Sequence, residues 1–299
     1  MIGGNMQHLI DTDDLTDIQI GAILEDAKRF KASQTNPIAL LRDKLLFTLF
    51  FENSTRTRSS FEVAAKKLGA AVVHLDPSKS SVNKGETIED TFANLGAMQP
   101  DGIIIRHSAN EIPAQLASMQ IAPVINAGAG NYAHPTQSLL DLFTIQEHFG
   151  TLKGKNIAIV GDIANSRVAS SAMALLPRMG IRISLVAPQP FMPQSTTHEC
   201  YEHIEDVIDK VDVIMSLRAQ LERHQKPIFE DYATYAKHYC ITPERISDRD
   251  IMIMHPGPVM RNIDISDEVL SDPRCKVLTQ VTNGVYVRMA ILKLLLLDR

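Results

Sequence analysis

Cysteine is scarce in this 299-residue chain: Cys200, Cys240 and Cys275 are an odd number at wide spacing. That excludes a disulfide framework and leaves no zinc-ligand pattern. Basic charge is not in excess either. Thirty Lys and Arg against 35 Asp and Glu give a formal net charge of −5 and a pI near 6.1. No net basic field drives nucleic-acid binding, although a local basic pocket stays compatible with these totals. Long apolar runs are missing. The stretch 45–51 falls far short of the ~20 residues a membrane span needs. Residues 1–15 carry three acids and no Lys or Arg, so they do not read as a signal or transit peptide. A cytoplasmic location is expected. Tryptophan is absent, which excludes nothing.

What is present is ordinary globular material, 44% apolar and 22% charged, which rules out disordered, collagen-like and coiled-coil classes. The length suggests two domains at roughly 150 residues each. Short β-rich runs alternate with helical patterns almost throughout. Strands are expected at 45–51, 71–75, 102–105 and 123–126, with helices around Phe61 to Leu68, over 87–98 and over 134–148. Residues 76–85 read as a polar loop. Pro135 falls in the first turn of its helix, where a missing N–H costs nothing. The pattern then restarts, with strands at 156–160, 181–186, 213–215 and 251–254, a helix over 166–179 and a last apolar helix over 285–297. Strands separated by helices imply parallel sheets. The expected fold class is α/β, two domains, each a mainly parallel sheet flanked by helices. The boundary is expected near the start of the 134–148 helix.

In such sheets ligands bind beyond the carboxyl ends of the strands. After the first strand comes Glu52-Asn53-Ser54-Thr55-Arg56-Thr57-Arg58-Ser59. Hydroxyls and two arginines meet at an expected helix N-terminus, whose dipole adds partial positive charge, so the segment suits a phosphate. A cap needs one hydroxyl, not several beside two arginines. The loop containing Ser80 and Lys84 is basic and hydroxyl-rich. Arg106 follows a strand directly. His134, Thr136 and Gln137 share one helical turn and can surround a polarised carbonyl oxygen. In the second half, Arg167, then Arg218 with Gln220, and then His255-Pro256-Gly257-Pro258 each follow a strand. Guanidinium groups at one sheet edge suit a carboxylate. Residues 126–133 match a loose G-x-G-x-x-A pattern, but the following helix starts too late for a dinucleotide turn. There is no metal-ligand cluster, no G-x-S-x-G elbow and no Walker loop. No metal and no cofactor are expected. The chemistry that fits is direct attack on an activated substrate, catalysed by positioning and oxyanion stabilisation.

Five stretches, 51–58, 82–87, 134–137, 216–220 and 255–258, together resemble the catalytic chains of the aspartate carbamoyltransferase family in order and spacing, over nearly the whole chain. The resemblance implies a carbamoyl phosphate domain of residues 1–133 plus 285–299, the last helix returning to it, and an aspartate domain of residues 134–284. It implies that Ser54, Thr55, Arg56 and Thr57 hold the phosphate, together with Ser80. Arg106, His134 and Gln137 would grip the carbamoyl end, and Arg56, Arg106 and His134 would polarise its carbonyl. The carbonyls of Gly257 and Pro258, joined by a cis peptide, would accept from the carbamoyl amide. Arg167, Arg218 and Gln220 would bind aspartate. Lys84 is implied as catalytic and aspartate-binding, and with Ser80 it would reach a neighbouring subunit's site, giving a homotrimer with shared active sites. The family admits a regulatory chain or a dihydroorotase as partner. Nucleic acid and membrane are not expected. Met260 departs from the Asn found in some similar chains. The nearest alternative, an ornithine carbamoyltransferase, would carry a His-Cys-Leu-Pro segment in place of 255–258 and a Ser-Met-Gly motif. A non-catalytic scaffold would have lost pocket residues that are present here.

Overall fold

The computed structural model describes residues 8–33, 39–75, 87–221 and 228–297. The chain divides into two compact units, 1–143 with 281–299, and 144–280. The division falls inside the helix that begins at Pro135, where the sequence reading had drawn it at 133/134 and at 284/285.

The first unit opens with α1 (Asp17–Ala32). Thr16 and Gln19 form a reciprocal capping box at its start. Ile20, Ile23, Leu24, Ala27 and Phe30 make its buried stripe. Then follow β1 (Leu45–Phe50), α2 (Thr55–Lys67), β2 (Ala71–Leu75), α3 (Ile88–Ala97), β3 (Gly102–His107), α4 (Ile112–Ser118), β4 (Val124–Ala129) and α5 (Pro135–Phe149). The sheet is wholly parallel, in the order β2-β1-β3-β4. β1 and β3 are covered on both faces and therefore read as continuous apolar runs. Phe47, Leu49, Ile103, Ile105 and Val124 pack with Phe92, Leu95 and Leu116 in one core.

The second unit contains β5 (Asn156–Val160), α6 (Arg167–Arg178), β6 (Arg182–Val186), β7 (Glu199–Tyr201), β8 (Val213–Ser216), α7 (Tyr232–Tyr239), α8 (Pro243–Ile246), β9 (Met252–Met254) and α9 (Asp267–Leu270). Its parallel sheet runs β7-β6-β5-β8-β9. The last helix, α10 (Val277–Leu296), starts eight residues before the expected 285, since 285 − 277 = 8, and residues 281–299 belong to the first unit. Gln280 and Asn283 are buried in its opening turns, which breaks the apolar pattern there. No helix of the described residues is long and apolar enough to cross a membrane.

Both sheets have a point where the strand order reverses. In the first, the chain moves from β1 outward to β2 and returns to β3 on the other side. In the second, it leaves β5 for β6 and β7 and returns to β8. The carboxyl ends of β1 and β3, and of β5 and β8, are the places where an open α/β sheet leaves a crevice.

Candidate active site

At the first reversal, β1 and β3 run in register up to Phe50 opposite Arg106. The chain after β1 turns back over Arg106, with the Phe51 N–H donating to its carbonyl at 2.9 Å. The Arg106 guanidinium is thereby brought to the loop. Its Nε donates to Glu52 Oε2 at 3.0 Å, and Nη1 to Ser54 Oγ at 2.9 Å. Ser54 is the N-cap residue of α2, yet its hydroxyl does not cap the helix. It accepts from Arg106 instead, so the first-turn N–H groups and the helix dipole are left to favour an anion. Thr55 and Arg56 are exposed in that turn, and Thr57 is buried beneath it. Glu52, which orients the Arg106 guanidinium, is not among the residues expected from the sequence. Its signal is a lone carboxylate within an otherwise cationic loop, two positions past the Phe50–Arg106 pair.

Below the loop, Arg58 Nη1 meets His74 Nε2 at 3.0 Å and Thr48 Oγ1 meets His74 Nδ1 at 3.0 Å. An arginine can only donate, so Nε2 accepts and Nδ1–H faces Thr48. This ties α2 to β1 and β2 behind the anion turn.

His134 and Gln137 sit at the start of α5 and are buried. Gln137 Nε2 donates to Asp141 Oδ1 at 2.9 Å, one turn along the helix. Two helices carry the predicted carbamoyl phosphate residues, and Arg288 of α10 joins them. Its Nη1 donates to Ser60 Oγ of α2 at 2.9 Å, and Nη2 reaches Thr136 Oγ1 of α5 at 3.5 Å, the long limit of a hydrogen bond. The guanidinium lies 5.0 Å from the centre of the Phe61 ring. Burial pushes the Arg288 pKa down to about 10, opposed by the Asp141 carboxylate, so it remains a cation at neutral pH. Neither Asp141 nor Arg288 figured in the sequence reading.

At the second reversal, Leu217 N–H donates to Val160 O at 2.8 Å, which holds the ends of β5 and β8 together. Arg167 is the first residue of α6, capped by Ser166 through Ala169 N–H. Gln220 Nε2 approaches the carbonyl of Asn165 at 3.3 Å. Arg218 stands between Leu217 and Ala219, both buried, and is itself half-buried. So Arg167, Arg218 and Gln220 come to one edge of one sheet.

A buried carboxylate, Asp264, organises this edge. It accepts from Ala219 N–H at 3.2 Å, Met260 N–H at 2.8 Å and His255 Nε2 at 3.1 Å. Gly257 N–H donates to His255 Nδ1 at 2.8 Å, which leaves the His255 proton on Nε2, facing Asp264. The Gly257-Pro258 peptide is cis. Position 260 is thus used through its backbone N–H. Ser80 and Lys84 fall outside the described residues.

Guanidinium groups gathered at the strand-order reversals of two parallel α/β units define an enzyme that handles anionic small molecules by group transfer. The chain belongs to the aspartate/ornithine carbamoyltransferase family. Residues 7–147 match the carbamoyl-P binding domain of that family, and 153–295 its Asp/Orn binding domain. The chain is 72% identical over 294 residues to the aspartate carbamoyltransferase catalytic subunit of Sulfurovum sp. (strain NBC37-1), covering 98% of this chain and 99% of that one. Among solved structures, the catalytic subunit of M. jannaschii aspartate transcarbamoylase superposes with a TM-score of 0.89 at 34% identity, covering 98% and 99% of the two chains. The Trypanosoma cruzi aspartate transcarbamoylase, in complex with carbamoyl phosphate and aspartate, gives 0.87 at 31%, covering 96% of each.

Proposed function

We propose that this chain transfers the carbamoyl group of carbamoyl phosphate to the α-amino group of L-aspartate, giving N-carbamoyl-L-aspartate and phosphate, a step of pyrimidine biosynthesis. The observation that carries the reading is the junction of Arg106, Glu52 and Ser54 at the β1–β3 reversal. It orients a guanidinium beside the uncapped N-terminus of α2, where a phosphoryl group is best held.

In this reading Ser54, Thr55, Arg56 and Thr57 bind the phosphate, and Arg106, His134 and Gln137 bind the carbamoyl group. Gly257 and Pro258 supply carbonyl acceptors for its amide. Arg167, Arg218 and Gln220 bind the aspartate carboxylates. The deprotonated amine attacks the carbonyl carbon and a C–N bond forms. Arg56, Arg106 and His134 donate to the oxygen as it becomes an oxyanion. The intermediate collapses with cleavage of the C–O bond to phosphate, and the departing phosphate takes the surplus amine proton. Only positioning and electrostatics are asked of the protein.

The assembly we propose is a homotrimer in the cytoplasm, with Ser80 and Lys84 completing a neighbouring subunit's site. Phosphate release from carbamoyl phosphate, measured with L-aspartate and with L-ornithine in turn, tests the reaction. Turnover with aspartate alone is expected; turnover with ornithine alone refutes it.

A further inference from the structure

The amide of Gln137 has two unlike ends, an NH2 that donates and an oxygen that accepts. In this structure the NH2 end is spoken for, because Nε2 donates to Asp141 Oδ1 at 2.9 Å. A carboxylate only accepts, so the oxygen end of Gln137 cannot take that place without setting two acceptors against each other. Among the described residues no donor meets Gln137 Oε1.

Asp141 is wholly buried, and Arg288, whose cation the Asp141 charge favours, is buried too. A buried guanidinium is less costly beside an anion. Arg288 cannot easily leave. It is tied to Ser60 and Thr136 and lies over Phe61. Its guanidinium also fills the space over Gly284, where a Cβ would come within 2.5 Å of Nη1. The cation is therefore built in.

We propose that Asp141, by accepting from Gln137 Nε2, fixes the sense of the Gln137 amide and so makes the pocket select a carbamoyl phosphate over an acetyl phosphate. The two acyl phosphates have nearly the same shape. One ends in NH2 and can donate to Oε1, while the other ends in a methyl group that leaves Oε1 without a partner. Sites built around a hydrogen bond reject the analogue that lacks it more strongly than a merely shaped pocket does. Asp141 acts through Gln137 and is a positioning residue. This inference rests on the reading that Gln137 meets the carbamoyl end.

The test compares KM for carbamoyl phosphate with the inhibition constant of acetyl phosphate in the intact enzyme. Wild-type turnover with carbamoyl phosphate and L-aspartate, measured first, tests the function separately. In Asp141→Asn, the asparagine presents an NH2 to Gln137, which turns that amide over. KM for carbamoyl phosphate is expected to rise about 10-fold, the value of one net hydrogen bond, while the acetyl phosphate constant moves less than about 2-fold. Asp141→Ser, small enough to be seated without strain, is the second variant and is expected to shift the ratio in the same direction. Added to Gln137→Ala, Asp141→Asn is expected to bring no further loss of discrimination. If both constants move by one factor in each variant, or the losses multiply in the double variant, Asp141 only supports the fold and the proposal fails.

Discussion

Gly284→Ala separates the packing around Arg288 from simple helix propensity, because the two predict opposite signs. A Cβ added at Gly284 would lie 2.5 Å from Arg288 Nη1 and 3.1 Å from Leu140 Cδ2. Nonbonded contact needs roughly 3.5 Å, so the guanidinium must retreat by about 1 Å. Its bond to Ser60 Oγ, now 2.9 Å, then passes the hydrogen-bonding limit. Losing a charged hydrogen bond costs about 1.5–3 kcal/mol. Overfilling a packed interior adds about 1–3 kcal/mol, and the helix preference of Ala over Gly returns only about 1 kcal/mol. A net destabilisation of about 1.5–5 kcal/mol follows from these terms. Gly21, in α1, is the control, since nothing lies within 4 Å of a Cβ there. Gly21→Ala is expected to stabilise by about 0.5–1 kcal/mol. Urea unfolding midpoints followed by circular dichroism give both values. If Gly284→Ala is as stable as Gly21→Ala, the packing of Arg288 is not what the structure implies.

Arg56→Ala is expected to lower turnover at least ~100-fold, as removal of an oxyanion donor does elsewhere; near-normal turnover contradicts its role. Lys84→Ala and Arg56→Ala subunits, each inactive alone, should regain activity when mixed and allowed to exchange, because in the proposed trimer a hybrid would contain a site with both residues intact. Absence of rescue after exchange counts against sharing. His107 and His148 both titrate below the ordinary 6.5, chiefly because burial disfavours the imidazolium. The unfolded chain then binds protons that the folded one refuses, so their contribution is complete above 6.5 and is lost as pH falls through the depressed folded values. The melting temperature should hold above about pH 6.5 and fall as pH drops below it, and a rise on acidification is the contrary result.

The strands at the centre of each sheet were readable because both faces are covered, leaving unbroken apolar runs such as 45–51 and 156–160. Their carboxyl ends then pointed to the arginines. The short β7 gives almost no run to read. α1 carried a readable capping box and stripe that the reading did not use, while Gln280 and Asn283, polar yet buried, hid the start of α10. Among the described residues, the side chains proposed to touch substrate were visible as motifs, since each lies just after a strand or in a helix's first turn. The groups that orient them were not. Arg288 meets Ser60 across 228 residues and Thr136 across 152. Asp264 gathers loops from two strands, and nothing local in the sequence marks a carboxylate for that task.

A crystal structure with a phosphonate-linked aspartate, mimicking both substrates at once, confronts the central claim with one observation. The account predicts that the phosphonate sits on Ser54, Thr55, Arg56 and Thr57, the adjoining carbonyl oxygen faces Arg106 and His134, and the aspartate carboxylates meet Arg167 and Arg218. A mimic bound elsewhere, with those arginines turned to solvent, would contradict it.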